Sequence, residues 1–176
     1  MVPAILILTL AWTLKSMTDS LGAAEYVSGV VANSAAGLQQ LLPAIIFIVA
    51  AFLAFATGTS WGTFGILIPI CIAVFPAAEP LRIISISACM AGAVCGDHIS
   101  PISDTTIMAS AGAECKHVHH VSSQLPYALT VATVSFITFL VAGFTQQLGI
   151  FGSAVVSWIC GISLLAGALY VLKKKF

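Results

Sequence analysis

Residues 91–106 of the chain read AGAVCGDHISPISDTT, and this stretch places two carboxylates, Asp97 and Asp104, between apolar flanks. Pro101 has no backbone N–H and disfavours helical geometry at the residue before it. The sequence therefore predicts that a helix is broken over residues 97–103. Carboxylates inside an apolar crossing are costly, so their presence favours a functional site over a simple kink.

The apolar arms on either side of this break are short. Residues 81–96 would form a helix of about 24 Å, and residues 104–112 supply a second, shorter half. Arms and break together are close to one bilayer thickness of about 30 Å. We therefore predict a single discontinuous membrane crossing over residues 81–112.

The preceding apolar run, residues 42–76, is interrupted only by the segment TGTSWGT at 57–63. As one helix it would measure roughly 52 Å, which is too long for one crossing and too short for two. Two arms of about 15 residues instead fit a re-entrant helical hairpin that enters and leaves on one side. Its tip would lie near mid-membrane, where broken backbone is tolerated only inside protein or beside a water-filled cavity.

Composition places the whole chain in a bilayer. Of the 176 residues, 60% are hydrophobic and 7% are charged, whereas a soluble domain carries about 25% charged residues. The formal net charge is zero, so nothing suggests a nucleic-acid partner. Motifs typical of hydrolases, metalloproteases and nucleotide-binding enzymes are missing from the sequence, and we expect neither enzyme activity nor a cofactor.

The remaining segments complete one all-α integral membrane domain over residues 1–176. Residues 3–41 contain a first span followed by a linker or interfacial segment, and ordinary spans are predicted at 124–145 and 150–172, after a polar loop at 114–123. Lysine counts on the two sides of the last pair place this loop and the C-terminus in the cytoplasm. We therefore expect a multi-pass protein of the cytoplasmic membrane, whose hairpin opens from the outside.

The predicted site combines the two breaks. Unpaired carbonyls at a helix end, with carboxylate and hydroxyl oxygens, suit a hard cation such as Na⁺, and we expect Asp97 and Asp104 to bind it. Discontinuous helices place such sites near the membrane midplane in many transporters. The other candidate ligands carry hydroxyl or imidazole groups in the break or at the tip: His98, Ser100, Ser103, Thr105, Thr106, Thr57, Thr59 and Ser60. The alternative is that the acids cap helix ends or pair with the histidine, and that the small residues at the tip pack between helices.

Two further polar clusters have simpler interpretations. Lys15 and Asp19 are either interfacial or form a second layer of the same cavity. His117, His119 and His120 do not follow a zinc-binding spacing, and we interpret them as part of a solvated cytoplasmic loop. Sensing of pH is the alternative, because histidine titrates near neutrality.

Several of these motifs resemble the NhaC-type Na⁺/H⁺ antiporter family. GDHISPISDTT at 96–106 is similar to the family's G-D-H-x-S-P-I-S-D-T-T signature, and ATGTSWGTFG at 56–65 is similar to its T-G-T-S-W-G-T-F segment. Together the matches cover most of residues 11–130. Further family elements are matched by HH at 119–120, QLPYA at 124–128, AWTL at 11–14 and LG at 21–22.

The resemblance implies an ion-transporter architecture of two inverted repeats, each with a re-entrant hairpin and a broken helix. Family members are much longer than this chain, which resembles their C-terminal half. We therefore expect a fragment, a truncated product or one piece of a split transporter. Its expected partners are the lipid bilayer and either the missing N-terminal repeat or a second subunit.

The resemblance and the acid-hydroxyl cluster together favour secondary active transport, in which Na⁺ and H⁺ compete for one alternately exposed site. A buried carboxylate can hold either a proton or a cation. One alternative is Na⁺- or H⁺-coupled exchange of an organic anion or amino acid at the same site, where a helix N-terminus would meet a substrate carboxylate. The other is a non-transporting fragment or subunit of a split transporter.

Overall fold

A computed structural model of the chain describes residues 36–175, together with positions 13, 16, 17 and 20–22. Most of the predicted segment 3–41, including Lys15 and Asp19, lies outside the described residues. The described part is helical and contains no strand, as the sequence predicted. Its helices are α1 (Ala36–Thr57), α2 (Ser60–Val74), α3 (Pro80–Ile99), α4 (Asp104–Gly112), α5 (His117–Phe144) and α6 (Gly149–Lys175), with a 3₁₀ turn at Gln146–Leu148.

Four helical segments are long and apolar enough to cross a bilayer: Gln39–Thr57, Pro80–Ile99, His117–Phe144 and Gln146–Lys173. By contrast, α2 has 15 residues, which gives a length of about 22 Å, too short to cross alone. The described chain therefore has the helices of a multi-pass membrane protein.

The break between α1 and α2 consists of Gly58 and Thr59. Gly58 has a φ of +67°, a left-handed conformation that glycine adopts without strain. Its N–H donates a 2.8 Å hydrogen bond to the carbonyl of Ala54, which satisfies one of the last carbonyls of α1. The interruption seen in the sequence therefore ends one helix and starts the next within two residues.

Helices α1 and α3 run in the same direction and pack backbone to backbone. Cβ atoms built on Gly92 and Gly96 would lie 2.2 and 2.0 Å from the carbonyl oxygens of Phe47 and Ala51, respectively. Moving four residues forward along α3, from Gly92 to Gly96, moves the contact four residues forward along α1, from Phe47 to Ala51. The two helices are therefore parallel. Because α2 connects them, it runs back antiparallel to both, as the return arm of a hairpin does.

Helix α5 is antiparallel to α1. A Cβ atom on Gly143 would lie 1.9 Å from the carbonyl oxygen of Gln40, and the rings of Phe47 and Phe139 are 5.6 Å apart between centroids. Helix α6 returns beside α5 after the 3₁₀ turn. The described bundle is thus built around α3, which packs against α1, α2 and α5.

Both breaks lie at one end of this bundle. A Cβ atom on Gly58 would be 2.9 Å from the carbonyl oxygen of Ile102 in the second break, and Gln124 Nε2 in α5 donates a 2.8 Å hydrogen bond to the carbonyl of His98. This level is near the start of α5. Helix α3 stays helical through Ile99, and its 20 residues span about 30 Å by themselves.

Two boundaries differ from the prediction. The second break covers residues 100–103 instead of 97–103, because proline disfavours helical geometry only at the residue directly before it. Asp97 therefore belongs to the last turn of α3. The predicted loop at 114–123 is mostly helical, since α5 begins at His117. Hydrophobicity marks where a helix enters lipid, whereas helical hydrogen bonding continues into the polar turns beyond it.

Candidate functional site

The candidate site is centred on Asp97, where the end of α1, the second break and the start of α5 meet. Asp97 is 8% exposed, and its Oδ1 accepts a hydrogen bond of 2.6 Å from the hydroxyl of Ser103. This distance lies within the usual range for O–H···O hydrogen bonds. Within the described part of the chain, Oδ2 receives no hydrogen bond, so half of the carboxylate stays available to a ligand.

Ser103 connects this buried carboxylate to the surface. Its side chain is fully buried, and its hydroxyl also lies 2.8 Å from the hydroxyl of Thr105, which is exposed. Ser103 occupies the N-cap position of α4 but makes no side-chain cap hydrogen bond. The three side chains form a continuous chain of oxygens from the surface to Asp97.

Asp104 has different surroundings from Asp97. Its side chain is exposed, and its Oδ1 accepts a 2.8 Å hydrogen bond from the N–H of Thr105. A carboxylate in the first turn of α4 also interacts favourably with the positive end of the helix dipole. The two acids, which the sequence placed in one cation site, are thus one buried group and one surface group.

Ser100 links the two breaks to each other. Its hydroxyl is fully buried and donates a 2.8 Å hydrogen bond to the carbonyl of Phe55 in the last turn of α1. The N–H of Ile102 lies 3.4 Å from the same Oγ and donates to it. Ser100 was predicted as a cation ligand, but in the structure its hydrogen satisfies a helix-end carbonyl that has no partner within α1.

The carbonyl of His98, near the end of α3, is held from two sides. Thr106 Oγ1 donates to it at 3.1 Å and Gln124 Nε2 donates at 2.8 Å. The hydroxyl of Thr106 is therefore used for helix capping, and the His98 side chain is exposed. The role of Gln124 was missed by the sequence analysis, and the available signal was an amide side chain immediately before an apolar span.

His117 also contacts the break, although the sequence suggested a solvated loop. Its Nε2 lies 2.7 Å from the carbonyl oxygen of Pro101, and its Nδ1 lies 3.1 Å from the hydroxyl of Ser110 at the end of α4. The His117 ring thus contacts both the second break, at Pro101, and the end of α4, at Ser110, and α4 is folded back against the break. The sequence predicts that residues 104–112 form the second half of a membrane crossing. In that arrangement Ser110 would lie farther from the break.

The hydroxyl groups at the tip make local contacts. The exposed Thr57 side chain donates a 2.8 Å hydrogen bond to the carbonyl four residues earlier. The carbonyl of Thr59 accepts one of 3.2 Å from Thr63 Oγ1, and Ser60 is buried at the start of α2. None of the predicted tip ligands hydrogen-bonds to Asp97 in the described structure. The tip is near the site through Gly58, whose backbone lies against the second break.

Chemically, the site offers one buried carboxylate with hydroxyl and carbonyl oxygens around it. Such a group can hold a proton or a small cation with oxygen ligands. Among residues 36–175 and the few described positions before them, no group of three or more His, Cys, Asp or Glu side chains could hold a metal ion. Hydroxyl and carbonyl oxygens are thus the available partners of Asp97.

Comparison with known proteins identifies a family and several relatives. Residues 1–144 match the model of the Na⁺/H⁺ antiporter family. Over 173 residues the chain is 46% identical to an uncharacterized protein of Haemophilus influenzae, covering 98% of this chain and 32% of that protein. It is 34% identical to the malate-2H⁺/Na⁺-lactate antiporter of Bacillus subtilis, over 61% of this chain and 24% of that protein.

A third relative is the arginine/ornithine antiporter of Halobacterium salinarum, which is 33% identical over 64% of this chain and 24% of that protein. The chain thus spans about a third or less of the length of these relatives. No solved structure gives a significant match.

Proposed function

The chain belongs to the Na⁺/H⁺ antiporter family, and from this premise we propose that it is part of a secondary transporter in which Na⁺ and H⁺ compete for Asp97. The family is one of transporters, so membership points away from enzyme catalysis. The observation that carries the proposal is the geometry of Asp97, which is 8% exposed and has one carboxylate oxygen bonded to Ser103. The other oxygen is left for a cation.

Competition follows from the charge of a single carboxylate. When Asp97 is ionised, it attracts a cation, and the low dielectric around a buried group strengthens that attraction. When Asp97 is protonated, the charge that holds the cation is gone. Bound Na⁺ and bound H⁺ therefore exclude each other, and alternate exposure of one site to the two sides of a membrane then produces exchange.

The surrounding helix ends support a cation at this position. Helices α1 and α3 both end beside the site, and the C-terminal end of a helix carries partial negative charge. Asp104 adds a full negative charge at the surface of the same region. We propose that Asp104 attracts the cation toward Asp97 and that carbonyl oxygens of the helix ends complete its coordination.

The architecture proposed for the whole transporter follows from the α1–α3 pair. Their parallel packing, with the short α2 leading back from the end of α1 to the start of α3, supports a re-entrant hairpin beside a broken helix. Because the chain covers 32% of its relative from Haemophilus influenzae, an opposing repeat or second subunit would supply the remainder. We propose that the C-terminus of this arrangement is cytoplasmic, because α6 ends in three lysines at 173–175.

A second candidate is exchange of organic ions coupled to Na⁺ or H⁺. Two relatives are named as a malate-2H⁺/Na⁺-lactate antiporter and an arginine/ornithine antiporter. In this case Asp97 would bind the coupling ion, and an organic carboxylate or amine would occupy the adjoining space. The two candidate functions use the same ion site. They differ in whether an organic solute changes the proton release that Na⁺ causes.

The direct test is proton release upon Na⁺ binding by the chain in lipid nanodiscs, measured with a pH dye in weak buffer. Addition of NaCl should release protons from the wild type at a pH where Asp97 is partly protonated. Choline chloride should release none. The Asp97→Asn variant should lose the release, and Asp104→Asn should keep it with weaker Na⁺ affinity.

If the Asp97→Asn variant releases as many protons as the wild type, Na⁺ and H⁺ compete for a group other than Asp97. Malate, lactate, arginine and ornithine are then added one at a time. A solute that changes the Na⁺ dependence of proton release favours the organic exchanger, whereas four solutes without effect favour plain Na⁺/H⁺ exchange.

A further inference from the structure

We propose that Thr105 and Ser103 form the path by which protons reach Asp97, so that these two hydroxyls carry protons instead of binding the cation. The inference rests on the proposed function, because it takes Asp97 as the group that binds H⁺ and Na⁺ in turn. It adds the route of the proton and assigns it to two named side chains.

The route is defined by two short oxygen–oxygen contacts. Ser103 Oγ lies 2.6 Å from Asp97 Oδ1 and 2.8 Å from Thr105 Oγ1. Asp97 and Ser103 are buried, at 8% and 0% exposure, whereas Thr105 is exposed. A proton that enters at Thr105 therefore meets a hydrogen-bonding oxygen at each step inward.

Hydrogen counting fixes the direction of the bonds. An ionised carboxylate only accepts, and each hydroxyl has a single hydrogen to donate. While Asp97 is ionised, Ser103 must donate to Asp97, and Thr105 must then donate to Ser103. Both hydrogens point toward the carboxylate, which is the starting arrangement that an inward transfer needs.

Transfer then occurs as three linked steps. A hydronium ion at the surface gives a proton to Thr105 Oγ1, and the hydrogen already on Thr105 passes to Ser103 Oγ. The hydrogen already on Ser103 passes to Asp97 Oδ1. Three O–H bonds form and three break, the water keeps the electron pair of the bond it loses, and the result is a neutral carboxyl. Once Asp97 has given up this proton, rotation of the two hydroxyls restores the starting arrangement.

The neighbouring hydroxyls are used elsewhere. Ser100 donates to the carbonyl of Phe55, and Thr106 donates to that of His98. In the described structure Ser103 is the residue whose side chain hydrogen-bonds to Asp97.

The backbone around Ser103 is also fixed. Its N–H donates to the carbonyl of Ser100 at 3.3 Å, and its own carbonyl accepts the N–H of Ile107 at 3.0 Å. These two bonds hold Ser103 in place, so its hydroxyl stays against Asp97 Oδ1. The proton relay thus uses Oδ1, and Oδ2 is left for the cation.

The test follows protonation of Asp97 in the chain in lipid nanodiscs after a laser-induced pH drop, by time-resolved infrared spectroscopy. The carbonyl band of the protonated acid is assigned by its loss in Asp97→Asn. The Thr105→Val variant should slow the rise of this band by about tenfold or more, while its final height stays unchanged. Valine has nearly the volume of threonine and leaves no room for a water molecule to replace the hydroxyl.

Two variants separate the relay from a structural effect. Thr105→Ser restores the hydroxyl and should restore the rate. Thr133→Val, in α5, removes an exposed hydroxyl that bonds to the carbonyl of Leu129 in its own helix and should leave the rate unchanged. Ser103→Ala should slow the rise of the Asp97 band as Thr105→Val does, provided that the variant folds.

A wild-type rate in Thr105→Val would overturn the relay. If the Asp97 band still appears and Na⁺ still suppresses it, the proposed function survives without this route. Absence of any Asp97 band would remove both proposals together. A rate that Thr105→Ser fails to restore would also overturn the relay, because the hydroxyl would then not be the group that matters.

Discussion

The hydroxyl of Ser100 donates a 2.8 Å hydrogen bond to the backbone carbonyl of Phe55, which lies 45 residues earlier in the chain. One residue thereby joins the end of α1 to the end of α3, at the two points where the helices are interrupted. The close contact between Gly58 and Ile102 lies at the same place. The two breaks are thus held together, and a movement of the hairpin tip would carry the surroundings of Asp97 with it.

The first prediction concerns this bond. Ser100→Ala leaves the carbonyl of Phe55 without its donor, which costs about 1–3 kcal/mol for a buried group. The melting temperature should fall by about 2–4 °C per kcal/mol. In a background that lacks the exposed Cys115 and the half-buried Cys95 and Cys160, a thiol-reactive dye can follow unfolding, because Cys71 and Cys89 are 2% and 0% exposed and react only when the bundle opens.

Ser87→Ala is the matched control, since Ser87 is exposed on the same helix and makes no side-chain hydrogen bond in the described structure. It should melt like the wild type. Equal melting temperatures for the Ser87 and Ser100 variants would show that the Phe55 carbonyl finds another donor.

The second prediction concerns the α1–α3 packing. A Cβ atom on Gly96 would lie 2.0 Å from the carbonyl oxygen of Ala51, so Gly96→Ala forces the two helices apart. Overpacking of this kind costs about 1–3 kcal/mol and sometimes more. Gly65→Ala is the control, because no atom lies within 4 Å of its built Cβ in α2.

The control should change stability in the opposite direction. In a helix, alanine is favoured over glycine by about 0.5–1 kcal/mol, so Gly65→Ala should melt slightly higher than the wild type and Gly96→Ala clearly lower. Thermal melts with the thiol-reactive dye measure both. A Gly96→Ala protein as stable as the wild type would mean that the helices are less closely packed.

The third prediction concerns Gly58, whose φ is +67°. Alanine in the left-handed region costs about 1–2 kcal/mol, and its Cβ would lie 2.9 Å from backbone and side-chain atoms of Ile102. Gly58→Ala should therefore loosen the tip, which hydrogen exchange of residues 54–63 would detect as faster deuterium uptake.

Asparagine separates the two causes at Gly58, because it tolerates a positive φ better than alanine but carries the same Cβ. If the contact with Ile102 dominates, Gly58→Asn and Gly58→Ala should exchange equally fast. Wild-type exchange in the alanine variant would show that the tip does not need glycine.

Local chemistry accounts for what the sequence could predict. Pro101 and Gly58 break helices through their own backbone properties, so both interruptions were visible without a structure. The family resemblance, now confirmed over residues 1–144, came from the motifs around these same breaks. The spacing Gly92-x-x-x-Gly96 is typical of close helix packing, but the sequence analysis did not use this signal, and it does not identify α1 as the partner.

The distribution of the acids could not be predicted in this way. Asp97 is buried because α3 continues to Ile99 and turns its last face toward Ser103. Asp104 starts a new helix whose direction depends on the break and on the contact between His117 and Pro101. Whether an acid at a broken helix is buried depends on contacts between residues far apart in sequence. The hydrophobic periodicity of one segment gives no information about those contacts.

The fourth prediction concerns His117, which joins α4 to the break through Pro101 and Ser110. His117→Phe keeps a ring of similar size but removes both polar contacts, so the segment between residues 101 and 117 should open more often. Lys116 is exposed and lies at the end of this segment. Trypsin should therefore cut after Lys116 several-fold faster in the variant, as mass spectrometry of timed digests would show.

His119→Phe is the matched control for this experiment, because His119 is exposed and has no hydrogen-bonding partner in the part of the chain that is described. Both variants place phenylalanine close to the cleavage point, so a change in trypsin preference would affect both. Faster cutting in His117→Phe alone means that the ring closes α4 against the break beside Asp97. Equal cutting in the two variants would mean that α4 is held by the bond between Thr106 and His98 and does not depend on His117.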